Sequence, residues 1–121
     1  MLKQSYRLKK NQDFQKIYKK GRSYATKGVV LYIDKRDDDE IKIGFSVSKK
    51  IGKAHDRNFV KRRMRACMEN NTDCLKKGNN FIFLARKPIV SFTYSQLQRD
   101  MIYLLKKSGG WNEGITEENH A

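Results

Sequence analysis

The segment from residue 49 to residue 65 concentrates the side chains whose types and spacing could do chemistry. It contains eight Lys or Arg residues, and no acidic residue lies between Arg57 and Ala66. On a helix, Arg57, Lys61 and Arg65 would lie along one side, because residues four apart occupy neighbouring positions. An Arg guanidinium binds two phosphate oxygens at once, stacks on bases and stays charged when partly desolvated. The pattern therefore predicts binding of a phosphate-rich polymer.

The alternative interpretation of this segment is an inert, solvated helix face. Such a face normally carries Glu or Asp four residues from its Lys and Arg side chains, and here those acids are missing. The whole chain also has 27 Lys and Arg residues against 13 Asp and Glu, a formal net charge of +14. An excess of this size favours a polyanionic partner, RNA or DNA, over an inert face.

The sequence offers no set of residues suited to hydrolysing a phosphodiester. That reaction usually needs clustered carboxylates that hold metal ions, or paired histidines. The acidic run from Asp37 to Glu40 is more typical of a polar turn than of a two-metal centre, and His55 and His120 are far apart. Asp56 could favour the positive end of a helix dipole or hold a metal through water, and we favour the dipole. We predict no catalytic residue and no metal ligand in the chain.

The remaining chemistry-bearing residues are the cysteines, and the remaining rival partner is a membrane. Cys67 and Cys74 are predicted to be reduced thiols, because the chain lacks a full set of zinc ligands. No apolar run approaches the roughly 18 residues of a spanning helix. Residues 1–10 also lack the apolar centre of a signal peptide. We expect a cytoplasmic protein without a membrane partner.

Three helices are predicted to position these side chains. The first is expected to have Asn11 as its cap and to end at Gly21. The central helix is predicted from about Ala54 to Glu69, where apolar residues recur at helical spacing without Gly or Pro. Thr93 is a plausible cap for the last helix, which should stop at residues 108–110.

Strands are predicted over residues 28–35, 41–47 and 80–86, the first two forming a hairpin through the acidic turn. One face of this hairpin should stay open and polar or partly aromatic. The prediction is an α+β fold, in the order helix, strands, helix, strand, helix, with an approximately four-stranded mixed sheet packed against the helices. Residues 1–110 should form one RNA-binding domain, and residues 111–121 a disordered tail.

The basic segment resembles the protein subunit of bacterial ribonuclease P. The matching residues are Ser46-Val47-Ser48-Lys49-Lys50-Ile51-Gly52, Arg57-Asn58, Lys61-Arg62 and Arg65. Further matches in the same order are Arg7-Leu8-Lys9-Lys10-Asn11, Asp13-Phe14, Val30-Leu31-Tyr32 and Ala85-Arg86-Lys87-Pro88. The resemblance covers roughly residues 6–107, and several separated matches are more specific than one basic run.

The resemblance implies two RNA-binding surfaces and catalysis by RNA. By position, the catalytic RNA would be bound by Lys49, Lys50, Lys53, Arg57, Asn58, Lys61, Arg62 and Arg65. The single-stranded 5′ leader of precursor tRNA would lie in a cleft lined by Phe14, Tyr18, Val30, Tyr32 and Ser46. The RNA would hold Mg2+ and remove the leader, with this chain as an assisting subunit of the endonuclease that needs no protein partner.

Local departures from the family pattern leave alternatives open. Phe59 stands where a third basic residue often follows Arg-Asn, His55-Asp56 replaces a more apolar approach, and Ala66 stands where an acid is common. Without the resemblance, Phe14 and Tyr18 would more often be packing residues than a ligand platform. The rival functions are a structural RNA-binding protein, a stand-alone nuclease and a DNA regulator, the last of which needs a dimer or a base-reading helix.

Overall fold

The structure is a computed structural model that describes residues 2–112. The helices are α1 (Asn11–Lys20), α2 (Ala54–Glu69) and α3 (Tyr94–Ser108). The strands are β1 (Arg22–Ala25), β2 (Val29–Lys35), β3 (Ile41–Ser46) and β4 (Asn79–Ala85), and they form one mixed sheet. The predicted α+β class and four-stranded mixed sheet are confirmed.

The strand order is β1-β2-β4-β3, so the predicted hairpin between the second and third strands is wrong. β4 lies between them, antiparallel to β2 and parallel to β3. Its central residues Phe81, Ile82 and Phe83 are all 0% exposed, which is the burial expected of a strand covered on both faces. β1 is not among the predicted strands; it is a four-residue edge strand whose side chains are mostly exposed.

The two faces of the sheet are covered differently. Val29, Leu31 and Ile33 of β2 belong to the main core with the apolar sides of α2 and α3. On the opposite face α1 contacts β2 and β4, and its Ile17 is 2% exposed. Because α1 has only ten residues, it leaves part of that face accessible.

The helix ends partly match the prediction. The Thr93 hydroxyl accepts a hydrogen bond from the Gln96 backbone N–H at 3.1 Å, and the Gln96 side chain accepts one from the Thr93 N–H at 2.8 Å. This capping box confirms Thr93 as the cap of α3. The prediction for Asn11 is wrong, because Asn11 is the first helical residue and the cap position belongs to Lys10, which makes no side-chain cap hydrogen bond.

The chain after α3 returns to the core. Trp111 is 6% exposed and forms an isolated antiparallel bridge with Leu75, so the predicted disordered tail is wrong at this residue. A Cβ atom at Gly110 would lie 2.5 Å from the Phe81 ring, so the close packing of the backbone at residue 110 against this ring requires glycine. The rest of the predicted tail, residues 113–121, lies outside the described residues. No helix within residues 2–112 is long and apolar enough to cross a membrane.

Candidate nucleic-acid interface

The loop before α2 is anchored by one buried residue and turned by one glycine. Ile51 is 6% exposed. Gly52 has φ 153°, and a Cβ there would lie 2.9 Å from the Asp56 carboxylate, so glycine is favoured. Asp56 lies in the first turn of α2, 3.8 Å from Nδ1 of His55, where an acid interacts favourably with the helix dipole. The loop carries three exposed lysines, Lys49, Lys50 and Lys53.

Helix α2 is anchored on one side and cationic on the other. Its buried side chains are those of Val60, Met64, Cys67 and Met68. The predicted RNA-facing residues are exposed or half-exposed: Arg57, Asn58, Lys61, Arg62 and Arg65. None of these cations forms a salt bridge with an acid of residues 2–112. Their charge is therefore available to a partner.

A pocket of about 480 Å³ connects α2 with β3 and the N-terminal segment. The N-terminal segment lies beside β3. The Leu8 N–H donates a hydrogen bond to the Ile43 carbonyl at 2.9 Å, and Arg7 forms an isolated parallel β-bridge with Ile43. The pocket is lined by Gln4, Arg7, Leu8, Lys9, Phe14, Ile43, Gly44, Phe45, Lys61 and Arg65. It therefore contacts both the cationic side of α2 and the first aromatic residue of the predicted cleft.

The charged residues that line this pocket are all positive. The Nε–H of Arg7 is buried and has no hydrogen-bond partner within residues 2–112. Burial and, secondarily, the charge of Arg7 lower the pKa of Arg65 from its usual value. Lys9 and Lys61 add positive charge, and none of the lining residues is acidic. Since buried N–H groups normally have acceptors, the pocket suits an anion such as a phosphodiester.

Arg7 and Lys9 are not among the site residues that the sequence predicts. Both belong to the stretch at residues 7–11 that resembles the family, but they are too far from α2 in sequence for a local pattern to predict a contact with it. Only the pairing of the N-terminal segment with β3 brings Arg7 beside Arg65.

Three aromatic rings of the predicted cleft contact one another on the α1 face. The Phe14 and Tyr18 centroids are 6.3 Å apart, and those of Tyr18 and Tyr32 are 4.8 Å apart, both edge-to-face. Phe14 also packs directly on Gly44, where a Cβ would lie 2.5 Å from its ring. All three rings remain partly exposed.

The strand register brings the other two cleft residues to the same face. Val30 and Ser46 both pair with Leu84 of β4. Paired residues of adjacent strands lie on one side of a sheet, so Leu84 lies between Val30 and Ser46 and is half-exposed. The sequence does not predict Leu84 as a groove residue, because the predicted hairpin would place β2 directly beside β3. The resulting aromatic groove consists of Phe14, Tyr18, Val30, Tyr32, Ser46 and Leu84.

The acidic turn between β2 and β3 is paired with a neighbouring cation, Arg36. Arg36 Nε donates to Asp38 Oδ1 at 2.8 Å, and Arg36 Nη1 donates to Asn80 Oδ1 at 2.8 Å. Hydrogen bonds from Arg36 and then from the Glu40 backbone lower the pKa of Asp38 to about 2. Across residues 2–112, no group of three His, Cys, Asp or Glu side chains could hold a metal ion.

Both cysteines are buried thiols, in agreement with the predicted reduced state. Burial raises the pKa of Cys67 to about 12. Burial and the nearby Asp73 carboxylate raise the pKa of Cys74. Because the thiolate is the reactive form, these positions suit packing and not nucleophilic chemistry.

Comparisons with known proteins agree on one family. The family model for ribonuclease P matches residues 2–109. A ribonuclease P protein component of Geobacillus kaustophilus is 37% identical over 114 residues, covering 93% of this chain and 94% of that protein. One from Bacillus cereus is 40% identical over 109 residues, covering 89% of this chain and 95% of that protein.

Solved structures show the same fold. The ribonuclease P protein of Staphylococcus aureus aligns with a TM-score of 0.82 at 37% identity, covering 90% of this chain and all of that one. The ribonuclease P protein of Thermotoga maritima aligns with a TM-score of 0.77 at 28% identity, covering 84% of this chain and 96% of that one. With its sequence match, its fold and its cationic helix in agreement, this chain belongs to the ribonuclease P protein family.

Proposed function

We propose that this chain is the protein component of a ribonuclease P ribonucleoprotein, which removes the 5′ leader from precursor tRNA. The observation that carries the proposal is the pocket of Arg7, Lys61 and Arg65, which connects a cationic helix to an aromatic groove. Relatives 37% and 40% identical to this chain are named ribonuclease P protein components.

The outer side of α2 and its approach loop bind the catalytic RNA in this proposal. Arg57, Lys61, Arg62 and Arg65 meet no acid of the described chain. Each contact with a phosphate releases counterions from the RNA, so binding should weaken steeply as salt is raised. Lys49, Lys50 and Lys53 extend the cationic surface along the loop.

The aromatic groove binds the single-stranded leader. Stacking on aromatic rings tolerates any base, which suits leaders of differing sequence. The pocket beside Phe14 supplies the phosphate contact, with the Nε–H of Arg7 as a donor that lacks an acceptor within residues 2–112. Because the mature product has no leader, this contact would favour binding of the precursor and release of the product.

Catalysis belongs to the RNA subunit in this proposal. Neither the carboxylates nor the thiols of residues 2–112 form a metal-holding cluster, so no step is assigned to a protein-bound ion. Mg2+ would be held mainly by the RNA and would assist attack of water on the scissile phosphodiester. The protein contributes affinity and placement, and we expect it to act in the cytoplasm.

A structural RNA-binding protein is the main rival. The cationic helix alone would serve that role, but the contacting rings of Phe14, Tyr18 and Tyr32 would have no RNA-binding purpose. Dependence of affinity on leader length separates the two functions, because only a leader-binding protein should discriminate between long and short 5′ extensions.

The test is cleavage of a 5′-extended precursor tRNA at low Mg2+ by the protein alone, by a bacterial ribonuclease P RNA alone, and by both together. Cleavage that is strong only in the mixture would support the proposal. No gain over the RNA alone would favour the structural RNA-binding protein, and cleavage by the protein alone would favour a stand-alone nuclease.

A further inference from the structure

Phe59 is an exposed aromatic residue on the helix that carries the cationic surface. Its side chain is 46% exposed, although a ring of this size is normally favoured in the core. It follows Asn58 directly and precedes Arg62 by one helical turn.

The ring of Phe59 is held from one side by Arg63. The Arg63 guanidinium carbon lies 5.1 Å from the Phe59 ring centroid and 5.9 Å from that of Tyr94. Arg63 Nη1 also donates to the Phe92 carbonyl at 2.9 Å, which fixes the guanidinium. The Phe59 ring therefore has a positioned cation on one side while nearly half of its side chain remains accessible.

We propose that Phe59 is a stacking platform for an unpaired base of the RNA that α2 binds. This inference rests on the proposed function and adds an RNA contact at a residue outside the predicted RNA-facing set. Base–aromatic stacking is favourable without base-specific hydrogen bonds, and a cation beside the ring adds to it. The positive charge of Arg62 and Arg63 on the same helix fits a polyanionic partner better than an apolar protein surface.

A purely structural role would predict a different result. Aromatic and cationic residues four apart stabilise isolated helices, and the Phe59–Arg63 pair has that spacing. The chain supplies a matched control on α3, where Lys107 Nζ lies 5.6 Å from the ring of Tyr103 and Tyr103 is 51% exposed. This second pair has the same spacing and similar exposure but lies outside the cationic surface of α2.

The experiment measures equilibrium binding of the full-length protein to a bacterial ribonuclease P RNA over a series of salt concentrations. Phe59→Leu should lower affinity about tenfold, at the lower end of base–aromatic stacking. The slope of log affinity against log salt should stay unchanged, because no phosphate contact is lost. Tyr103→Leu should change neither quantity, whereas Arg62→Ala should reduce the slope by roughly one.

A fluorescence readout tests stacking directly. Phe59→Trp retains an aromatic ring, and Tyr103→Trp is its control, with the buried native Trp111 common to both. Ribonuclease P RNA should quench the emission of Phe59→Trp more than that of Tyr103→Trp, and Phe59→Trp should bind with nearly native affinity.

Two outcomes would contradict the stacking role of Phe59 and leave the proposed function of the protein intact. One is native affinity of Phe59→Leu for the RNA. The other is a loss for Phe59→Trp as large as that for Phe59→Leu, since a platform should accept another aromatic ring. By contrast, failure of the native protein to bind the RNA would overturn the proposed function itself.

Discussion

Two arginine clusters that adjoin one pocket show how differently one chain can use the same side chain. Arg36 donates to Asp38 and Asn80 and lies 3.5 Å from Glu40, so its guanidinium is matched within the protein. Arg7 has a buried N–H without an acceptor in residues 2–112, and it lies near a second cation, Arg65. The first cluster stabilises a turn, while the second has no acidic partner within residues 2–112.

This difference distinguishes a charge that is paired within the fold from a charge that is left for a binding partner. Like charges that share a partly buried pocket repel each other and cost desolvation free energy. The fold tolerates that cost at Arg7 and Arg65, although acids are available elsewhere in the chain, as at Asp38. A phosphate of bound RNA would relieve the repulsion and supply the missing acceptor.

The largest expected effect is the loss of RNA affinity when a binding arginine is removed. Arg65→Ala should weaken binding to ribonuclease P RNA by about tenfold or more, because hydrogen bonds to charged groups contribute about 1.5–3 kcal/mol. The slope of log affinity against log salt should fall by about one, and Arg62→Ala should behave likewise. Filter binding or fluorescence titration measures both quantities. Arg36→Ala is the matched control, and an equal loss there would remove the distinction between the clusters.

Next in size is the effect of the aromatic groove on the precursor. Phe14→Ala and Tyr32→Ala should each weaken binding of long-leader precursor tRNA to the holoenzyme by about tenfold, the scale of one stacked base. Precursors with very short leaders should be little affected. Titration of the holoenzyme with a leader-length series measures this, with assembly on the catalytic RNA as the control. Equal losses in assembly and leader binding would contradict two separate surfaces.

A smaller effect of opposite sign is expected on the stability of the protein alone. Arg7→Met should raise the free energy of unfolding by about 1 kcal/mol, because it removes an unsatisfied buried donor and the repulsion with Arg65. Arg36→Met should lower it by no more than about 1 kcal/mol, the usual range for a partly exposed ion pair. Urea unfolding without RNA measures both changes. Destabilisation by Arg7→Met would show that this guanidinium is structural.

The smallest expected effect is a pH dependence of the matched cluster. The pKa of Asp38 falls from 3.8 to about 2 in the folded protein. Its ionised carboxylate therefore stabilises the fold at pH values above the pKa of the unfolded chain. That contribution should be lost as the pH falls through about 2. The difference in urea midpoint between the native chain and Asp38→Asn should therefore be constant near neutral pH and shrink in strong acid. A difference independent of pH would contradict this ion pair.

Local patterns predicted the helices well because helix formation depends on residues three and four apart. α2 begins at Ala54 and ends at Glu69 as predicted, and Thr93 caps α3. The cap prediction failed by one residue, because Asn11 is already helical and the extended cap position belongs to Lys10. Site roles assigned by resemblance stay predictions, although the structure gathers the five predicted groove residues on one face.

The sequence by itself determined the cationic side of α2, because its 3.6-residue periodicity separates Val60 and Met64 from Arg62. Only the tertiary structure decided the strand order, since pairing between distant segments leaves no mark in local periodicity. Inserting β4 between β2 and β3 placed Leu84 in the groove. Pairing the N-terminal segment with β3 placed Arg7 beside Arg65. Such contacts depend on the register of nonlocal pairing, which side-chain burial across the whole core selects.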